Sequence, residues 1–163
     1  QPPYSILARG IEADVLPVCR EFGMGVIPWS PLAGGWLSGR WRKGADDLTS
    51  RRAAMIPDRY DLSLPANQAK LDAADALGRL ADEAGLSLIH VALAFVIRHP
   101  AVTAAIIGPR TMDQLESQLG AAEVELDDAI LDAIDAIVAP GTNVNPADAG
   151  WTNPALAPAA RRR

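Results

Sequence analysis

Two short apolar runs, each broken off by a loop, constrain this chain more than any other feature. The first is Gly25-Val26-Ile27-Pro28-Trp29, followed by Ser30-Pro31-Leu32-Ala33-Gly34-Gly35-Trp36-Leu37-Ser38-Gly39-Arg40. So short an apolar run reads as a buried strand over 25–29. It ends at Trp29 and Ser30, and the Pro/Gly loop beyond carries Arg40 at its far end. A flat aromatic, a hydroxyl, open loop backbone and a guanidinium together suit the grip of a nucleotide. The second run, Thr103-Ala104-Ala105-Ile106-Ile107, is β-branched at several positions and predicts a buried parallel strand over 103–108. Gly108 lets the backbone turn or approach a ligand closely. Thr111 and Gln114 have capping-box spacing, so a helix starts there. Its unpaired N–H groups favour an anion, and Arg110 beside them adds a planar, permanently charged donor.

The remaining pattern is mostly helical. A helix over 12–22 is expected to bury Val15, Leu16, Val18, Cys19 and Phe22, with Pro17 in its first turn or at a kink and Gly23 as its stop. Residues 34–65 read as a long, irregular, exposed connection whose Arg51 or Arg52 can reach the nucleotide cofactor. Leu71, Ala74, Leu77, Leu80, Ala81 and Ala84 mark an amphipathic helix over 66–84. Ser87 caps a nearly all-apolar helix over 88–98, and His99-Pro100 ends it. Helices over 112–121 and around 126–137 follow. From Pro140 the chain turns Pro-, Asn- and Gly-rich, with Trp151 as a docking residue. The Ala/Pro/Arg end is expected to be disordered. Strands alternating with helices indicate an α/β fold.

Several ordered motifs now carry a resemblance. They are Gln1-Pro2-Pro3-Tyr4-Ser5, Trp29-Ser30-Pro31-Leu32-Ala33-Gly34-Gly35, Ser38-Gly39-Arg40 and Ile107-Gly108-Pro109-Arg110, with Gln114-Leu115 and Ser117-Gln118-Leu119. Together they resemble the C-terminal half of the aldo-keto reductase superfamily, in its bacterial and potassium-channel-β-like branches. The resemblance implies part of a (β/α)8 TIM barrel over 1–138, a tail over 139–163, and binding of NADP(H) without a Rossmann fold. No Gly-x-Gly-x-x-Gly fingerprint is present. By similarity Trp29 stacks on the nicotinamide and Gln1 bonds its carboxamide. Ser30, Pro31, Leu32, Ala33 and Gly34 follow the pyrophosphate, with Arg40 at the loop's end. Gly108, Arg110, Gln114, Ser117 and Gln118 take the adenosine and 2′-phosphate end. Ser117 stands where many relatives have an acidic residue, and Gln118 where many have asparagine. The implied reaction is hydride transfer between NADPH and an aldehyde or ketone. The family's tyrosine, lysine, aspartate and histidine belong to the other half of the barrel, so no catalytic residue is assigned here. A non-catalytic, nucleotide-binding regulatory relative is the alternative.

Length and composition fit these expectations. A complete barrel typically needs ~250 residues, and 163 are present. The chain is therefore expected to be a C-terminal portion that is inactive alone and exposes open strand edges. A net charge of −5 argues against general nucleic-acid binding. Arg161-Arg162-Arg163 reads as a solvated tail. Cys19 is the sole cysteine, which suits a reducing cytoplasm, and no apolar run is long enough to span a membrane. Two histidines and one cysteine make no metal constellation. Tyr4 follows the carboxamide-binding glutamine and is not the family's proton donor. His90 reads as a packing residue, His99 as a helix-end cap, and Asp127/Asp128 and Asp46/Asp47 as helix-start and loop charges. Trp36, Trp41 and Trp151 either line a substrate pocket or pack. Arg42 and Lys43 compete with Arg40 for its role.

Overall fold

Local capping chemistry sets the helices of this computed structural model, which describes residues 1–46, 48–150 and 153–160. Asp47, Trp151 and Arg161-Arg162-Arg163 lie outside the described residues. Helix α1 (Val15–Glu21) starts at Asp14, whose carboxylate accepts the Val15 N–H, and Pro17 falls in its first turn. Gly23, at φ +64°, ends it, and the Met24 N–H closes back onto the Cys19 carbonyl at 2.8 Å. Only Leu16 of the expected apolar stripe is buried. Val18 and Phe22 are 47% and 74% exposed, because no described element covers that side.

Helices α2 (Arg51–Met55), α3 (Pro65–Glu83) and α4 (Leu88–Ile97) follow. Proline at the first position of α3 loses no helical hydrogen bond. Leu71, Ala74, Leu77 and Ala81 form its buried face. Ser87 caps α4 by accepting the His90 N–H at 3.1 Å, and α4 buries seven of its ten residues, as its unbroken apolar pattern demands. Helices α5 (Met112–Leu119) and α6 (Asp128–Ile137) are capped by Thr111 and Asp127. No single helix among the described residues is long and apolar enough to cross a membrane.

The two predicted strands need correction. Among the described residues there is no regular strand, only isolated bridges, so neither 25–29 nor 103–108 forms an independent element of a closed barrel. The segments are nonetheless extended and parallel: Trp29 is bridged to Pro3 on one side and to Ile106 on the other. Tyr4 donates its N–H to the Trp29 carbonyl at 3.3 Å and Trp29 donates to Pro2 at 3.1 Å. Thr103 and Ile106 donate to Val26 and Pro28, both at 2.8 Å. Prolines explain why the ladder stops. In a parallel pair the next bonds would come from the nitrogens of Pro2 and Pro28, which carry no hydrogen. Burial is also one-sided. Val26 is 2% exposed, whereas Ile27 and Ile106 are 37% and 41% exposed, so neither run is sandwiched between two helical layers.

The 34–65 connection is not uniformly exposed. Its tip at Gly44–Asp46 is in solvent, but Trp36, Leu37, Trp41 and Tyr60 are buried. Trp36 stacks on Tyr60 with ring centroids 5.4 Å apart and meets Trp41 in a tilted contact at 4.3 Å, which ties the connection to the core. Past α6, residues 142–148 pack back on the body. Thr142 and Leu7 carbonyls exchange bonds with Arg9 and Val144, and Asn143 Oδ1 accepts the Gly10 N–H at 2.9 Å.

Candidate functional site

The bridges at Trp29 carry the site. Because Pro3, Trp29 and Ile106 lie side by side in parallel, the chain leaves all three segments at the same end. The loops after Tyr4, Trp29 and Ile107 therefore emerge together.

Trp29 is half-buried, and its indole Nε1 donates to the Gln1 carbonyl at 3.1 Å. The loop behind it is backbone-strained: Ser30 and Ala33 are non-glycine residues at φ +62° and +50°, with Gly34 at +69°. Ser30 Oγ accepts the Gly34 N–H at 3.0 Å and holds that conformation. Glycine is required at 34, since a Cβ there would sit 2.8 Å from the Tyr60 hydroxyl. That hydroxyl donates to the Gly34 carbonyl at 2.8 Å.

A pocket of about 40 Å³ opens beneath this loop. Trp29, Ser30, Ala33 and Gly34 of the predicted cradle line it, together with Ser5, Trp36, Arg52, Arg59, Tyr60, Lys70 and Asp148. Lys70 is 1% exposed; its ammonium donates to Asp148 at 3.0 Å and to the Arg59 carbonyl at 3.1 Å, and lies 4.7 Å from the Trp36 ring. Burial pulls its pKa below the ordinary lysine value, although Asp148 opposes the shift. Arg59 also pairs with Asp148, at 2.9 Å. Burial raises the Tyr60 phenol, against the pull of Arg52.

The other predicted site residues stay outside this pocket. Gln1 is exposed, Pro31 is buried, and Leu32 lies in the loop wall. Arg40 is exposed and donates to the Thr49 carbonyl at 3.0 Å. Gly108 and Arg110 are exposed at the start of α5, with open space where a Cβ of residue 108 would point. Gln114 accepts the Arg110 N–H at 2.9 Å, one residue earlier than an ideal capping box would have it. Ser117 Oγ and Gln118 Nε2 both donate to the Gln114 carbonyl at 2.9 Å, so each is turned onto its own helix. Gln118 is buried at 8% exposure.

The discounted residues also have structural partners. Tyr4 is fully buried, and its hydroxyl donates to Glu12 at 2.6 Å; burial first, then this bond, raise its pKa far above the usual phenol range. His90 Nε2 meets the Ser117 carbonyl at 3.0 Å, and His99 Nδ1 accepts the Ala101 N–H at 3.2 Å. No metal-competent cluster of acidic, histidine or cysteine residues occurs among the described residues.

Sequence reasoning missed Ser5, Arg59, Lys70 and Asp148. Lys70 carried a usable signal: positions 67, 70, 74, 77 and 81 continue one helical face, so a charge at 70 falls inside an apolar stripe. Asp148 had none, being 78 residues from its partner.

Comparison with known proteins places the chain in a family. Residues 1–139 match the Aldo/keto reductase family. The chain is 42% identical over 132 residues to an uncharacterized oxidoreductase, YrpG, of Bacillus subtilis, covering 80% of this chain and 37% of that protein. It is 32% identical over 145 residues to a probable voltage-gated potassium channel subunit beta of Arabidopsis thaliana, covering 85% and 43%. Protein tas of Escherichia coli is 31% identical over 138 residues, covering 84% and 38%. The chain thus spans about two fifths of the length of these relatives. With the family matched across most of its residues, this chain belongs to the aldo/keto reductase family.

Proposed function

We propose that this chain supplies the nucleotide-holding part of an NADPH-dependent oxidoreductase that interconverts aldehydes or ketones and alcohols. The observation that carries the reading is the parallel alignment of Pro3, Trp29 and Ile106, which directs three loops to one edge. Trp29 offers a partly open ring for stacking, with Gln1 beside it. The strained 30–34 loop lies next to it, and Arg40 stands at that loop's far end. Gly108 and Arg110 precede α5, Gln114 lies in its first turn, and Ser117 and Gln118 lie in its last; at the helix start, N–H groups and a guanidinium with no ion pair among the described residues suit a 2′-phosphate. The residues present therefore fit the cofactor: a half-buried aromatic with a partly open ring, a glycine with open space beside it and an arginine with no ion pair among the described residues. When bound, the dinucleotide supplies hydride chemistry. The chain's own part is to bind and orient it, and the proton donor to the alkoxide is assigned to none of these residues. The substrate is a small carbonyl compound, and a reducing cytoplasm is the proposed location.

The relatives named as potassium channel subunit beta favour one second reading, a nucleotide-binding regulatory protein on the same scaffold. NADPH and NADH titrations followed by tryptophan fluorescence test the shared premise. Saturable quenching, about tenfold tighter for NADPH and losing that preference in Arg110→Ala, supports it; this corresponds to roughly 1.4 kcal/mol for one charge-assisted contact. No quenching by a chain shown folded by circular dichroism overturns it. Carbonyl-dependent NADPH oxidation by a protein carrying the full barrel separates reductase from regulator.

A further inference from the structure

Ser5 Oγ is the one buried side-chain polar atom without a hydrogen-bond partner among the described residues. Ser5 is 1% exposed and lines the pocket under the Trp29 loop. A buried hydroxyl with nothing to bond is costly, and native structures tolerate it mainly where water or a ligand completes it. Its surroundings indicate which kind of ligand. Three cations, Arg52, Arg59 and Lys70, line the same pocket against a single carboxylate, Asp148. In a chain whose net charge is −5, this is a local excess of positive charge. Lys70 and Arg59 share Asp148. Arg52 forms no ion pair among the described residues and stands at the exposed mouth. The Tyr60 hydroxyl is already committed to the Gly34 carbonyl. Volume limits the guest: about 40 Å³ admits a few waters or one small group, not a ring.

We propose that this pocket is an anion subsite for a substrate carboxylate, with Arg52 pairing it at the mouth and Ser5 Oγ donating to it from the floor. Trp29 borders the same pocket, so a carbonyl compound anchored here by its carboxylate ends beside the position proposed for the nicotinamide. The substrates are thus short aldehyde or keto acids rather than neutral carbonyls. This inference rests on the proposed reductase reading for its orientation, but not for the anion site itself. A phosphate of the dinucleotide is the other source of the same chemistry, and the test separates the two.

The test titrates the chain with sodium succinate and, as a neutral control, succinamide, by calorimetry and by the fluorescence of the buried Trp36. NADPH affinity is measured in the same variants. Saturable succinate binding is expected, with no binding of succinamide. Arg52→Ala and Ser5→Ala should each weaken succinate at least tenfold, Arg52→Lys should restore part of the loss, and NADPH affinity should be unchanged. Equal binding of succinate and succinamide, or wild-type affinity in Arg52→Ala, overturns the proposal. Displacement of succinate by NADPH overturns it in favour of a cofactor phosphate. Circular dichroism of each variant identifies a folding defect, and Arg52→Lys then serves as the deciding variant, because Arg52 is exposed. Loss of NADPH binding in the unmutated chain would refute the reductase reading and leave the anion site standing.

Discussion

Replacing Arg9 with methionine tests how the first loop, α6 and the segment beyond it are joined. Arg9 is 4% exposed. Its Nε donates to Glu12 at 2.9 Å, and its Nη1 donates to both Asp135 and the Val138 carbonyl at 2.7 Å. The contacts differ in worth. Glu12 is 12% exposed on its side chain, so its bond acts in a poorly solvated place, where a charge-assisted bond contributes ~1.5–3 kcal/mol. Asp135 is 44% exposed and is rehydrated when its partner goes, so it adds roughly 0–1 kcal/mol. The Val138 carbonyl, stranded in a buried setting, adds about 1 kcal/mol. Glu12 does not lose everything, since it keeps the Tyr4 hydroxyl and the Gly141 N–H. The expected loss is therefore about 3 kcal/mol, the low end of what removing one partner of a buried pair costs. For a chain of this size that lowers the melting midpoint by roughly 6–12 °C. Urea unfolding of Arg9→Met, Glu12→Gln and the double variant measures it, with the pair expected to be non-additive by about 1 kcal/mol or more. A loss under about 1 kcal/mol, or strict additivity, would refute the view that this network is a buried, coupled unit.

Two further predictions concern the glycine loop and pH. Gly34→Ala forces alanine to φ +69° and puts its Cβ against the Tyr60 hydroxyl. It should cost about 1–3 kcal/mol and perturb the Trp36 emission, whereas Gly108→Ala, with open space and no positive φ, should stay within roughly 0.5 kcal/mol. Equal stabilities of the two variants by thermal melting would contradict this. For His99, burial first, then Arg9 and Arg20, lower the pKa below its ordinary 6.5, with Glu12 opposing. The unfolded chain then binds the proton more tightly. The His99 contribution is complete above pH 6.5 and is lost as pH falls through that value toward the folded-state pKa. Urea midpoints at pH 7.5 and 5.5 should differ for the wild type and converge for His99→Gln.

Much of the scaffold was legible from residue order. The starts of α4, α5 and α6 were each marked by a side chain that accepts a backbone N–H three residues on, a contact that needs no distant partner. The strands were read correctly as extended but wrongly as buried. A strand's burial depends on neighbours on both faces, and Ile27 and Ile106 have too few among the described residues. The 34–65 connection was misread as exposed throughout, because Trp36, Trp41 and Tyr60 lie far enough apart in sequence to show no period, yet stack in space.

The candidate site divides along the same line. The placement of Trp29, Ser30 and Gly34 was legible in sequence because it is local: an aromatic and a hydroxyl at the end of an apolar run, and a glycine at φ +69° where the loop turns. The pocket beneath them was not. It joins Ser5 from the first loop, Arg52 and Arg59 from the long connection, Lys70 from α3 and Asp148 from beyond α6. Sequence alone determined where α4, α5 and α6 begin, since those starts depend on groups a few bonds apart. Only the tertiary structure decided which charges are buried together, because an ion pair such as Lys70 with Asp148 exists only once folding has brought distant segments within 3.0 Å and removed the water between them.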